Sequence, residues 1–262
     1  MTTTKKADAI ILADVVDLML WTGQLLMRFG ADSQRIERTI TRMGNGLGCE
    51  AIDIFISHNS IMITTTSEEG FRTKIRSVRR HAVNMTIISA ISKLSWRVLR
   101  EGLDRKYVRE ELNRISSIHS HYSRWIVVIM VGLACAAFSR LFQGDWMVFI
   151  ITFFSASFGM FIRQELVKRE YNLFLIITIV SFCASILAGT AAYFNLSPEP
   201  NVALAASVLL LVPGVPMINA IKDAVDNYTM VGLTRALIGA IISLNIALGL
   251  IVAMKLLGID HL

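Results

Sequence analysis

Leu211-Val212-Pro213-Gly214-Val215-Pro216-Met217-Ile218-Asn219 lies inside an otherwise apolar run, residues 202–221. A run of that length is enough to cross a bilayer. Two prolines three residues apart, with a glycine between them, cannot all sit in an unbroken helix. Each proline lacks an N–H, and its ring meets the carbonyl four residues back. Hydrocarbon cannot solvate carbonyls released in this way, so such backbone has to face protein or a water-filled cavity. Interrupted spans are where many transporters bind substrate. The rival reading is a proline kink that only shapes packing.

Polar side chains gather just beyond the break. Asn219, Asp223 and Asp226 follow it, and Arg235 lies inside the next apolar run. An ionisable group within a span is costly and faces a cavity or a partner. Arg235 is always cationic and grips carboxylates bidentately. Two readings stand side by side: Arg235 pairs with Asp223, or it holds an anionic substrate.

Around this stretch the chain predicts five crossings, at 125–141, 146–162, 172–195, 202–221 and 229–254. The first two are near the short limit, which points to thinning or tilt. Arg163, Lys168 and Arg169 place the loop after the second crossing inside, and the loop 195–201, with Pro198, Pro200 and no basic residue, outside. The amino terminus then stays in the cytoplasm, and the carboxy terminus ends in the periplasm. Small residues four apart, Gly132 with Ala136 and Ser155 with Gly159, suit close helix packing.

The charge supports this division. Lys and Arg outnumber Asp and Glu by 19 to 13 up to Arg124 and stand level at 7 and 7 beyond it. A mean hydropathy of +0.56 is too apolar for an ordinary soluble domain. The chain therefore reads as a basic, water-soluble domain, residues 1–124, joined to a neutral membrane domain, residues 125–262. The basic surface fits the anionic inner face of a membrane, and no motif points to nucleic acid. Cys49, Cys135 and Cys183 match neither a disulfide framework nor a metal-ligand spacing. No cofactor or metal motif is present. Asp8, Asp14 and Asp17 exclude a signal peptide.

Within the soluble domain, Ile11, Val15, Leu18, Thr22, Leu25, Leu26 and Phe29 form one apolar helical face, ended by Gly30. Asp32 or Ser33 caps a second helix with Ile36, Ile40 and Met43 on its stripe, and Gly44, Gly46 and Gly48 are expected to break it. Strand signals cover 51–57, 60–66 and 71–75, with turns at His58-Asn59 and Glu68-Glu69-Gly70. Helices follow over 78–99, with Arg79 and Arg80 outward, and from Asp104. The pair His119 and His121 sits two apart, which does not suit joint metal binding on a helix. Ser57 and His58 point to opposite faces of a strand, so no nucleophile–base pair forms and the chain reads as a non-enzyme.

The elements Gly30-Ala31-Asp32-x-x-Arg35-Ile36-Glu37, Ser57-x-Asn59-x-Ile61, Pro213-Gly214-x-Pro216-x-x-Asn219-Ala220-x-x-Asp223 and Gly232-x-x-Arg235 resemble the threonine/serine exporter family. Full-length members join a cytoplasmic domain and five spans to a second set of spans. This chain ends after the first set and resembles the larger subunit of the split form. The resemblance implies a bacterial inner-membrane exporter subunit paired with a small multi-span membrane protein that supplies the second half. It implies export of a small carboxylate metabolite, succinate for split members and threonine or serine for fused ones. It leaves room for a homo-oligomer of the pair.

The fold expected is thus an α-helical polytopic membrane protein with an amino-terminal α+β cytoplasmic domain. The site expected is Pro213, Gly214, Pro216, Asn219, Asp223 and Arg235. The alternative is a membrane-anchored regulatory or scaffold protein that acts through its cytoplasmic domain.

Overall fold

A computed structural model describes residues 2–67, 70–78, 82–118 and 122–259, without the side chains of 2–11, 67 and 70. The Glu68-Glu69 turn, outward Arg79 and Arg80, and the His119–His121 pair lie outside the described residues. The chain forms two compact units, residues 1–119 with 215–236, and 120–214 with 237–262.

The first unit is built on α1 (Thr2–Arg28). It contacts α2 (Ser33–Gly46), the three-stranded sheet, α3 (Met85–Glu101) and α4 (Arg105–Ser116). A single apolar face was the expectation. Instead Val15, Val16, Leu18, Met19 and Leu20 are all buried, because neighbours surround the helix on several sides. Burial of such a side chain stabilises by about 1.5–3 kcal/mol. The half-exposed pair of Asp17 with Lys74, at 2.7 Å, belongs to the class worth about 0–1 kcal/mol. Apolar packing, not the ion pair, fixes α1.

The sheet is β1 (Ala51–Ile56), β2 (Ser60–Ser67) and β3 (Gly70–Ser77), antiparallel in that order. Ile61 and Ile63 point into the core, whereas Asp53 and Phe55 are exposed, as a period of two requires. The β1–β2 turn closes with the Ser57 N–H donating to the Ser60 carbonyl at 2.9 Å. The turn forms at His58-Asn59 as expected, without a left-handed Asn59.

Two helix boundaries differ from expectation. Gly44 does not break α2 but sits inside it, and Gly46 is its last residue. A Cβ on Gly46 would lie 2.8 Å from backbone atoms of Val98 and Leu99, so glycine here serves close packing against α3. Gly48, at φ +88°, makes the turn. The third helix starts at Met85 rather than Val78. Asn84 caps it by accepting the Thr86 and Ile87 N–H groups, while the Val78 N–H is held by the Asn59 carbonyl at 2.7 Å.

The second unit contains α5 (Arg124–Leu141), α6 (Trp146–Lys168), α7 (Leu173–Tyr193), α8 (Pro200–Ser207) and a 3-10 turn at Leu209–Leu211. Helix α6 runs 23 residues, past the expected end at 162, so it needs no thinning to span. A Cβ on Gly132 would stand 2.9 Å from the Phe153 carbonyl oxygen, which explains a small residue on α5.

Then come α9 (Gly214–Val225) and α10 (Thr229–Leu257). The first part of α10 belongs to the first unit and the remainder to the second. In the second unit Ser181 of α7 donates to the Ile246 carbonyl of α10 at 2.7 Å. Among the described residues, four helices are long and apolar enough to cross a membrane; the bent pair 200–211 and 214–225 makes five if it counts as one span. The break falls at Val212 and Pro213, as the sequence requires.

Candidate functional site: a buried ion pair at the broken span

Proline chemistry decides where α9 begins. The Gly214 N–H donates to the Val212 carbonyl at 2.9 Å, outside any helical pattern. Pro216 then falls in the first turn of α9, where a backbone N–H would have no helical partner. Pro213 interrupts the helix and Pro216 restarts it. The helix ends at Val225, and Asn227, at φ +69°, turns the chain toward α10.

The close approach of α9 and α10 depends on Gly232. A Cβ there would meet the Ala220 carbonyl oxygen at 2.6 Å and the Ala224 nitrogen at 3.0 Å. Arg235 lies one turn further along α10 and reaches back to α9. Its Nη1 stands 2.8 Å from Oδ2 of Asp223. Both side chains are buried, Asp223 completely. The contact lacks hydrogen-bond alignment, so it is a charge contact with donor capacity left on Nη1.

The loop between α1 and α2 supplies the remaining partners. The Ser33 N–H donates to Asp223 Oδ1 at 2.8 Å, and Arg235 Nη2 donates to the Ala31 carbonyl at 3.1 Å. The Asn219 amide donates to the Gly30 carbonyl at 2.9 Å. Lys222 Nζ lies 2.9 Å from Asp32 Oδ1. Four consecutive residues, Gly30 to Ser33, therefore engage both side chains of the pair and two further residues of α9.

Local conformation makes this possible. Gly30, at φ +88°, ends α1 and turns its carbonyl and that of Ala31 out of the helix. Asp32 caps α2 by accepting the Arg35 N–H at 3.0 Å. Burial pushes its carboxyl up, but Lys222 and Arg35 outweigh that and hold it below the usual carboxylate range.

Of the six residues singled out from sequence, Asn219, Asp223 and Arg235 come together in one cluster of the first unit. Pro216 lies on the same helix and shapes its start. Pro213 and Gly214 mark the break and belong to the second unit. Sequence reasoning missed Lys222 and the backbone of Gly30, Ala31 and Ser33. The available signal was the Gly30-to-Glu37 element, noted for its resemblance but not joined to the distant aspartate and arginine. Among the described residues, no group of three or more His, Cys, Asp or Glu side chains could hold a metal ion.

The chemistry on offer is anion binding. A guanidinium with an unaligned donor, beside a carboxylate fixed by a backbone N–H, can exchange one carboxylate partner for another.

Comparison with known proteins gives a consistent picture. A family model described as "Putative threonine/serine exporter" matches residues 17–257. The "Probable succinate transporter subunit YjjP" of Klebsiella aerogenes is 33% identical over 246 residues, covering 94% of this chain and 95% of that protein. Its counterpart in Escherichia coli strain K12 is 32% identical with the same coverage. The "Probable threonine/serine exporter" of Mycobacterium tuberculosis is 18% identical over 244 residues, 92% of this chain but 46% of that protein. No solved structure matches.

Proposed function

The chain belongs to the threonine/serine exporter family of multi-pass membrane transporters, and from that premise we propose that it is one subunit of a secondary exporter for a small carboxylate, with succinate favoured over threonine or serine. The relatives that match nearly end to end are named as succinate transporter subunits, which supports that substrate. The word "subunit" in those names, and the 46% share of the longer exporter, support a small multi-span membrane partner that supplies a second set of helices. The pair works in a bacterial inner membrane, with residues 1–124 in the cytoplasm, residues 125–262 in the membrane and the carboxy terminus in the periplasm. The pair is free to assemble further as a homo-oligomer.

The observation that carries the reading is the buried Arg235–Asp223 contact beside the broken span, held by Gly30 to Ser33. In this arrangement the site is closed. The guanidinium spends its charge on Asp223 and its second nitrogen on Ala31. Substrate enters when the loop before α2 withdraws. Its carboxylate then replaces Asp223 on Arg235, and Asn219 supplies a further donor. Pro213, Gly214 and Pro216 break the helix at the start of α9 and free backbone groups that can line a path. Alternating access follows as this chain and its partner move around the site. Asp223, once displaced, is a carboxylate able to carry a proton, which would couple export to the proton gradient.

The test is dicarboxylate release from cells that express this chain with and without the partner. Release that needs both supports the reading; none from the pair, with both proteins inserted, overturns it. Truncation separates the scaffold alternative. A scaffold keeps its function when residues 1–124 ride on an unrelated anchor, whereas an exporter loses it.

A further inference from the structure

Helices α2 and α3 carry a second feature that the buried pair does not use. Between them opens a cleft of 540 Å³, a metabolite-sized volume. Arg35, Arg38 and Arg42 line it from α2, spaced three and four residues apart on one face. Lys93 faces them from α3 and Lys222 from α9. Five cations share the space with a single carboxylate, Asp32.

That carboxylate is already taken, by Lys222 at 2.9 Å and Arg35 at 3.6 Å. Among the described residues no carboxylate pairs with Arg38, Arg42 or Lys93. Arg42 donates to the Thr39 hydroxyl at 3.1 Å, and its Nε is buried without an acceptor. Burial and the neighbouring Arg38 both push its guanidinium below the usual arginine range. Uncompensated like charges at this spacing repel one another. A cleft built from them calls for an anion.

The rest of the lining narrows the ligand. Ser89 and Ser92 add hydroxyl donors on the α3 side. The Trp96 ring already carries the Arg42 guanidinium at 4.5 Å and that of Arg100 at 5.1 Å, so the aromatic surface serves cations and not a stacked base. Guanidinium forks match carboxylate and phosphate oxygens two at a time.

We propose that the α2–α3 cleft binds a compact non-aromatic anion with two or more negative groups, carboxylate or phosphate. Such a ligand bridges α2 and α3 through Arg38, Arg42 and Lys93, and reaches α9 through Lys222. The site adjoins the Arg235–Asp223 cluster and shares Asp32 and Lys222 with it, but its occupancy is read by binding alone, whatever the chain transports.

The experiment is calorimetric titration of the full chain in nanodiscs of phosphatidylcholine with citrate, pyrophosphate and, as the monovalent control, acetate. Saturable binding of citrate or pyrophosphate is expected, with acetate at least tenfold weaker. Which of the two binds tighter identifies the anionic group. The Arg38→Gln/Lys93→Gln variant, which removes two cations without an ion-pair partner, is expected to weaken binding at least tenfold with an unchanged melting temperature. Repetition in nanodiscs containing cardiolipin, whose headgroup carries two phosphates, separates the sources. Loss of soluble-anion binding assigns the cleft to a lipid headgroup phosphate, and undiminished binding assigns it to a free anion. No saturable binding in either bilayer, or equal affinity in the folded double variant, overturns the proposal.

Discussion

Asp223 Oδ1 accepts the Ser33 backbone N–H at 2.8 Å across 190 residues of chain. The same carboxylate faces Arg235 through its other oxygen. One side chain thus ties the start of α2 to α9 and α10. The structural weight of the cluster falls on that aspartate.

Removing either partner leaves a buried charge alone. Arg235→Gln or Asp223→Asn by itself is expected to cost about 3–5 kcal/mol, because desolvation of the survivor is no longer offset. The double variant Asp223→Asn/Arg235→Gln is expected to recover much of that loss. Thermal unfolding of the four proteins in detergent closes the cycle. Additive single losses would show that the two groups do not interact.

Gly232→Ala places a methyl group 2.6 Å from the Ala220 carbonyl oxygen. The helices α9 and α10 must separate, at a cost of about 1–3 kcal/mol. Arg235 then withdraws from Asp223. A lower melting temperature is the expected outcome. A melting temperature equal to wild type would mean that the approach of the two helices is not tight.

Acid should weaken the loop contact in a known direction. The Asp32 carboxyl lies lower in the folded chain than its ordinary value, so the unfolded chain binds more protons over the interval between the two. The stabilisation is complete above the unfolded value, about 3.9, and is lost as pH falls through the lower folded one. Asp32→Asn keeps a competent helix cap but cannot titrate. Urea midpoints measured against pH should therefore be flatter for this variant at the acid end. Parallel curves would remove Asp32 from the account.

The proposed orientation is checked by labelling. In a chain with its three cysteines changed to serine, Leu196→Cys lies on the exposed α7–α8 connection and Phe71→Cys on the exposed face of β3. A membrane-impermeant maleimide is expected to reach Leu196→Cys in intact cells. Phe71→Cys should react only after the inner membrane is opened. The reverse pattern would invert the topology.

The broken span was legible in the sequence because proline chemistry is local: Pro213 interrupts a helix whatever surrounds it. The same holds for Gly30, Asp32 and Asp104, whose turn and capping roles need only near neighbours. Long-range packing was not legible. Gly44 and Gly46 look like helix breakers, and only the approach of Met19 and Val98 explains why small residues stay in α2. Likewise α1 displays one apolar stripe in sequence, but Val16, Met19 and Leu20 are buried by elements distant along the chain. Backbone carbonyls carry no sequence signature, so the partners offered by Gly30 and Ala31 could not be read in advance. The spacing of Arg35, Arg38 and Arg42 was not singled out from the sequence. Its meaning emerges only when α3 brings Lys93 opposite.

Under the proposed mechanism the Arg235 fork receives the substrate's carboxylate. The direct measurement is dicarboxylate efflux from cells that express the partner together with wild-type chain or Arg235→Lys, at matched membrane abundance. Lysine keeps the charge but loses the planar pair of donors. Efflux reduced at least tenfold is the predicted result; efflux equal to wild type would contradict the account.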